Sequence, residues 1–199
     1  VSRFKAAGWR PVVAAELEFS LVTWDRDIPA HTCPSPVGSG PVGGNTYGLD
    51  VLNHHRQMME DLRVACEIQD LPFDGVVKES APSQYEINMQ HVDDPVKAAR
   101  QIIMMKRLIK GVAAKHGLIA SFMAKPFENE AGNGMHVHCS VLNEKGINIF
   151  DDGTDKGTPL LHQAIGGCLT YMAESVAIFA PTYNAYRRFQ RGCHAPTFP

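Results

Sequence analysis

Two acidic residues, Glu16 and Glu18, stand two positions apart in the β-forming segment PVVAAELEFSLV at 11–22. Residues at i and i+2 of a strand point to the same face, with Cα atoms roughly 6–7 Å apart. Two carboxylates held at that spacing repel each other unless a positive charge lies between them. An ExE string alone is more often a solvated strand face, so the pair becomes a cation site only if further ligands join it.

Further candidate ligands come from two other segments. Glu79 and Glu86 bound the string ESAPSQYE, in which Pro82 and Ser83 predict a turn, so a hairpin would bring both acids to one end of a sheet. His136 offers an imidazole on the alternating segment MHVHCSVL at 135–142. Four carboxylates and a histidine suit Mg²⁺ or Mn²⁺ better than Zn²⁺, which prefers histidine and cysteine. Their joint position on the polar faces of predicted strands predicts a binuclear site.

Hydrophobic patterning predicts the elements that position these residues. Apolar residues recur at three- and four-residue intervals from Asp50 to Asp70, which predicts a helix. A second helix starts at Asp94-Pro95 and stops at Gly117, and a third, apolar helix spans 158–180. Strands are predicted at 11–22, 75–80, 84–90, 118–125 and 135–142, and a Gly/Pro-rich loop is predicted at 28–47. This order, with short turns between several strands, predicts an α+β fold, a largely antiparallel sheet with flanking helices.

The composition argues against several functional classes. With 199 residues and 44% apolar content, the chain fits one domain or part of a larger one. A net charge of -2 gives no basic surface for nucleic acid or for an anionic membrane. No segment reaches the roughly 18 apolar residues of a membrane span. Five cysteines without a CxxC spacing argue against a disulfide framework and a thiolate zinc site, and they favour a reduced, cytoplasmic location.

Four strings along the chain resemble the signatures of type I glutamine synthetases, in the same order. They are ELEFSL at 16–21, E-x-x-P-x-Q-x-E at 79–86, KPF with GNGMHVHCS at 125–140, and NAYRRF at 184–189. The resemblance covers essentially the whole chain and implies that residues 1–199 form part of a glutamine synthetase catalytic domain. In that family an N-terminal β-grasp domain precedes this region and more of the catalytic domain follows it, so we expect both outside these residues.

The resemblance also implies a metal and substrate site, position by position. It makes Glu18, Glu79 and Glu86 the ligands of a metal beside glutamate, and Glu16 and His136 two ligands of a metal beside the nucleotide phosphates. Glutamate would meet Ala131, Gly132 and Arg188, and Arg188 would form the catalytic set with Glu79 and Glu86. The residues implied in ATP contact are His138, Cys139, Ser140 and, as a weaker match, Asp74.

The implied reaction is the ATP-dependent joining of glutamate and an amine through γ-glutamyl phosphate, with two Mg²⁺ or Mn²⁺ ions. Active sites of the family form between subunits of a ring, so a homo-oligomer is expected. The loop at 33–47 is long enough to cover such a site, although a plain surface loop is the commoner explanation. A metallohydrolase is a further alternative, but the sequence has no HExxH string.

One departure from the family concerns the amine. Glutamine synthetases that use ammonia carry a glutamate in a GYEAP string, whereas residues 192–196 read GCHAP, with His194 in that place. The details of the other motifs are closer to γ-glutamylputrescine and other γ-glutamylamide synthetases. An organic amine is therefore the predicted second substrate, with ammonia as the alternative. An inactive or truncated paralogue that binds metal or nucleotide is the alternative of another class.

Overall fold

One long strand, β1 (Arg10–Asp25), organises the sheet. The computed structural model describes residues 1–32 and 46–190. Along one edge β1 pairs with β6 (Met135–Leu142) and then β5 (Ile119–Ser121), and along the other with β4 (Gln84–Met89) and then β2 (Ile28–His31). The last strand, β3 (Phe73–Lys78), pairs with β4. All these pairings are antiparallel, which confirms the predicted α+β class.

Two helices cover one face of this sheet. The two that form the core with it are α3 (Arg56–Ile68) and α4 (Pro95–Lys115); the others are α1 (Ser2–Ala6), α2 (Leu49–His54), α5 (Pro159–Phe179) and α6 (Tyr183–Tyr186). The core joins the odd-numbered side chains of β1 and β4 to apolar stripes of both helices: Leu17, Phe19, Leu21, Tyr85, Ile87, Met58, Leu62, Cys66, Met105, Ile109 and Val112. Because side chains alternate along a strand, the even-numbered residues of β1 and β4 face away from this core.

The predicted boundaries of α4 are confirmed by its caps. The Asp94 carboxylate accepts hydrogen bonds from the backbone N–H groups of Val96 at 2.9 Å and Lys97 at 3.1 Å. Gly117, two residues past the last helical residue, has φ +71°, a conformation that glycine adopts without strain. The predicted helix 158–180 is also present, with Thr158 as its N-cap.

Three predicted elements differ from the structure, and two short helices were not predicted. Residues 28–31 form β2 instead of loop, because Arg26 and Asp27 both adopt positive φ and close a two-residue hairpin. The single helix predicted over 50–70 is two helices that meet at His55. The strand predicted over 118–125 is limited to Ile119–Ser121. The short helices α1 and α6 were not predicted, because neither carries a strong periodic pattern. Of the predicted covering loop, 33–47, residues 33–45 lie outside the described residues.

Within the part of the chain that the structure describes, no helix has the length and apolarity needed to cross a bilayer. The helix α5 is apolar, yet none of its residues is buried by the other described residues.

Candidate metal and substrate site

The sheet register gathers the predicted ligands on one face. Glu16 on β1 lies opposite Asn88 of β4 on one side and opposite His136 of β6 on the other. Glu18 lies directly opposite Glu86. Residues paired across antiparallel strands point to the same face, with Cβ atoms about 5 Å apart. The even-numbered face therefore carries the acids and the histidine, while the odd-numbered face carries the core.

Glu16 forms the open half of this cluster. Its carboxylate accepts a hydrogen bond from His136 Nδ1 at 2.9 Å and another from His138 Nε2 at 2.7 Å. Burial raises the pKa of Glu16, but the two histidine hydrogen bonds outweigh burial and hold that pKa below its ordinary value. Ligand atoms of Glu16, Glu86 and His136 all lie within 4.8 Å of one another, close enough to share one cation.

Glu79 and Glu86 are held in conditions that disfavour their charges. Burial, and then the negative charges of Glu16, Glu79 and Glu18, raise the pKa of Glu86 to about 7. Burial, and then the charge of Glu18, raise the pKa of Glu79 above its ordinary value. Such shifts arise when carboxylates share a site without a compensating positive charge. A divalent cation bound at this face would supply that charge.

Glu18 forms the enclosed half of the cluster. Its Oε2 accepts hydrogen bonds from the backbone N–H of Gly134 at 2.8 Å and from Gln84 Nε2 at 3.0 Å. The backbone N–H of Glu18 in turn donates to the Gly134 carbonyl at 3.2 Å. The Glu18 carboxylate is thus fixed by groups of the β4 start and of the loop before β6.

Arg188 lies against the two glycines of this loop. A Cβ on Gly134 would lie 2.8 Å from Arg188 Nη1, and a Cβ on Gly132 would lie 3.0 Å from Arg188 Cδ and 2.2 Å from the Ala124 carbonyl oxygen. Only glycine leaves room for the guanidinium beside the Glu18 loop. Arg188 Nε is buried and has no hydrogen-bond partner among the described residues. A buried, unpaired donor on a cation beside the acids favours an anionic ligand there.

Asn184 docks the segment that carries Arg188. Its side-chain amide accepts a hydrogen bond from the Lys125 N–H at 2.7 Å and donates one to the Lys125 carbonyl at 3.0 Å. Further along the same loop, the Lys125 ammonium donates to the Glu130 carbonyl, and the Glu130 carboxylate accepts from His31 Nε2 at 2.8 Å. The loop from Lys125 to Gly134 is therefore attached to the sheet and to α6 at several points.

The structure separates some residues that the sequence groups together. Ala131 and Gly132 lie on the loop beside Arg188, and His138 and Ser140 share the face of His136. Cys139 points to the opposite face, where it lines an apolar groove of about 680 Å³ between β6 and α5. Asp74 is exposed at the bulge of β3, two strands away from Glu16. His194 and residues 192–196 lie outside the described residues.

Sequence reasoning missed Gln84, Asn133, Gly134 and Asn184. All four fall inside the quoted strings, and Gln84 precedes Glu86 by two positions, which places both on the same strand face. That spacing was the available signal for Gln84. No local signal links Asn184 with Lys125, because the two residues are 59 positions apart.

Comparison with known proteins identifies the family. The family described as "Glutamine synthetase, catalytic domain" matches residues 1–199. The chain belongs to the glutamine synthetase family. It is 40% identical over 199 residues to the gamma-glutamylputrescine synthetase PuuA of Escherichia coli (strain K12), covering 98% of this chain and 42% of that protein. It is 41% identical over 202 residues to a glutamine synthetase of Pyrococcus abyssi, covering 100% of this chain and 43% of that protein.

Solved structures share the fold. A GmaS/ADP complex superposes with a TM-score of 0.82 at 27% identity, covering 98% of this chain and 43% of that one. The family assignment and the mixed, antiparallel architecture predicted from the sequence are both confirmed. The chain spans about two fifths of the length of the curated relatives named above.

Proposed function

We propose that this chain provides catalytic-domain residues of an ATP-dependent ligase that joins glutamate and an amine into a γ-glutamyl amide. The observation that carries the proposal is the carboxylate cluster: ligand atoms of Glu16, Glu86 and His136 lie within 4.8 Å of one another, Glu18 lies opposite Glu86, and the pKa values of Glu79 and Glu86 are raised. Family membership supports the same chemistry.

The donor set fits two hard divalent cations, Mg²⁺ or Mn²⁺, because it consists of carboxylate oxygens and one imidazole nitrogen. Glu18, Glu79 and Glu86 would hold one ion, and Glu16 and His136 the other, with Glu86 adjacent to both groups. When bound, these ions offset the negative charge that accumulates as a carboxylate meets a phosphoryl group.

The glutamate half of the reaction belongs to the loop and to Arg188. The γ-carboxylate of glutamate attacks the γ-phosphorus of ATP, the bond from phosphorus to the bridging oxygen breaks, and ADP leaves. Arg188, whose Nε lacks a partner among the described residues, would bind the carboxylate or the transferring phosphoryl group. Ala131 and Gly132 would contact glutamate through their backbones, as the family resemblance implies.

The nucleotide half is proposed for the open side of the sheet. His138 and Ser140 lie on the ligand face of β6, and the similar GmaS structure is a complex with ADP. Cys139 would contact the nucleotide only through its backbone, since its side chain points to the opposite face of the sheet. Asp74 would make only a peripheral contact, since it lies two strands away from Glu16.

The amine attacks the acyl carbon of γ-glutamyl phosphate and displaces phosphate, which gives the amide after loss of a proton. We propose an organic amine, because PuuA is described as a γ-glutamylputrescine synthetase and the sequence carries His194 where ammonia users carry glutamate. Ammonia is the alternative, supported by the similarity to the Pyrococcus abyssi glutamine synthetase. A homo-oligomeric ring is part of the same proposal.

Phosphate release by the complete gene product tests the ligase. With ATP, Mg²⁺ or Mn²⁺ and glutamate, phosphate should appear only when putrescine, another amine or ammonia is added, and the preferred amine should show the highest kcat/KM. Arg188→Lys should reduce kcat strongly, while Arg63→Lys on the exposed face of α3 serves as the matched control. Stoichiometric ATP binding without turnover on any amine would instead indicate an inactive paralogue.

A further inference from the structure

Gln84 is a buried polar residue beneath the carboxylate cluster. Its residue surface is 1% exposed, and it is the first residue of β4, opposite Ser20 of β1. Its Oε1 accepts a hydrogen bond from the Ala81 N–H at 3.0 Å. This contact fixes the side-chain amide in the turn between Glu79 and Gln84.

The amide nitrogen of Gln84 connects two parts of the site. Nε2 lies 3.0 Å from Glu18 Oε2, 3.1 Å from the Gly132 carbonyl oxygen and 3.2 Å from Asn133 Oδ1. An amide NH₂ carries two hydrogens, so these three acceptors share them. The same nitrogen therefore fixes the distance between the Glu18 carboxylate and the backbone of the loop.

Asn133 completes the buried network. Its Nδ2 donates to the carbonyls of Ser121 at 3.3 Å and Met123 at 2.9 Å, and its Oδ1 accepts from Ser20 Oγ at 3.3 Å as well as from Gln84. Asn133 is 5% exposed. Buried polar groups with every partner satisfied hold one arrangement, because an alternative arrangement would leave a donor or acceptor unpaired.

We propose that Gln84 is a positioning residue that sets the Glu18 carboxylate against the Gly132 backbone, and so aligns the glutamate-side metal ligand with the glutamate-binding loop. This inference rests on the proposed function. Gln84 touches neither substrate nor metal in this role; it acts through Glu18 and Gly132. Only a side chain of this length with both a donor and an acceptor can reach Ala81, Glu18 and Gly132 together.

Two substitutions in the complete protein test the inference. Gln84→Met keeps the length and removes both polar groups, and Gln84→Glu keeps the shape but replaces the donor with a second acid beside Glu18. Both should lower kcat/KM for glutamate by about 100-fold, the loss expected from a misplacement of about 1 Å. KM for ATP should change by less than about threefold, and Mn²⁺ binding at the proposed site of Glu18, Glu79 and Glu86 should weaken.

Gln101→Met in α4 is the matched control, since this glutamine is half-buried and lies outside the network; its kinetics should equal those of the wild type. Equal losses for glutamate and ATP with a lowered Tm would show a general structural role and overturn the inference, as would unchanged glutamate kinetics in Gln84→Glu. If Gln84→Met does not fold, Gln84→Glu decides. If the wild type releases no phosphate with any amine, the proposed function is wrong. The Mn²⁺ affinities of Gln84→Met and Gln101→Met then test the positioning role by themselves.

Discussion

The two halves of the carboxylate cluster are built differently. The Glu18 carboxylate is held by a buried glutamine and by a backbone N–H group, both fixed by the fold. The Glu16 carboxylate is held by two imidazoles whose side chains are 69% and 53% exposed. A charge that is held by buried dipoles stays in place when ligands come and go, whereas exposed imidazoles can exchange Glu16 for another partner. The enclosed half suits the proposed alignment of Glu18 with glutamate, and the open half suits the proposed contact with an exchanging nucleotide.

The largest expected effect comes from the enclosed half. Glu18→Gln should lower kcat by about 1,000-fold and weaken Mn²⁺ binding, because it removes a charged ligand from a preorganised position. The fold should remain, since loss of the charge also relieves Glu79 and Glu86. Mn²⁺ titration and circular dichroism measure the two properties, with Glu67→Gln on the exposed face of α3 as the control. Unchanged Mn²⁺ affinity would show that Glu18 is not a ligand.

The next effect concerns the loop that encloses Glu18. Gly134→Ala should lower kcat/KM for glutamate by about 100-fold, because its Cβ would lie 2.8 Å from Arg188 Nη1 and displace the guanidinium. Gly111→Ala in α4 is the control, since its Cβ meets nothing within 4 Å. That control should leave activity unchanged and raise stability by about 0.5–1 kcal/mol. Wild-type kinetics in Gly134→Ala would place Arg188 outside the reaction.

Glu86 lies between the two halves and should make apo stability depend on pH. The pKa of Glu86 in the folded protein is about 7, above the ordinary 4.5. The contribution of Glu86 to the free energy of unfolding is therefore fully present below pH 4.5 and is lost as pH rises through 7. In EDTA, the stability of Glu86→Gln relative to the wild type should therefore increase between pH 4.5 and 7. The difference in the free energy of unfolding should reach a plateau of about 3 kcal/mol, because each pKa unit is worth about 1.4 kcal/mol. Denaturant unfolding across this range measures the difference, and a difference independent of pH would contradict the shared-charge description.

The smallest effect belongs to the open half. His138→Gln should change the free energy of unfolding by less than about 0.5 kcal/mol, because its side chain is exposed and its hydrogen bond with Glu16 is open to solvent. KM for ATP should rise by about tenfold or less, with KM for glutamate unchanged. Steady-state kinetics with each substrate varied measure this split. A loss as large as that of Glu18→Gln would remove the distinction between the two halves.

The fold was largely predictable, and the errors have local causes. The alternation at 135–142 and the caps at Asp94 and Thr158 are signals carried by neighbouring residues, and the corresponding elements are present. The hairpin at Arg26 and Asp27 was missed because both residues adopt positive φ although neither is glycine, the residue that usually marks such a turn in a sequence. The break at His55 was missed although residues 53–57, NHHRQ, contain no apolar residue and interrupt the three- and four-residue spacing.

The sequence by itself determined which side chains share a face, because the two-residue period of a strand fixes their direction. That period places Glu16 and Glu18 together, and Gln84 with Glu86. Only the tertiary structure decided what each carboxylate contacts. The hydrogen bonds of Glu18 to Gln84 and Gly134 join residues 66 and 116 positions apart. Such contacts depend on strand register and on how a loop packs, which are properties of the whole fold that no local pattern encodes.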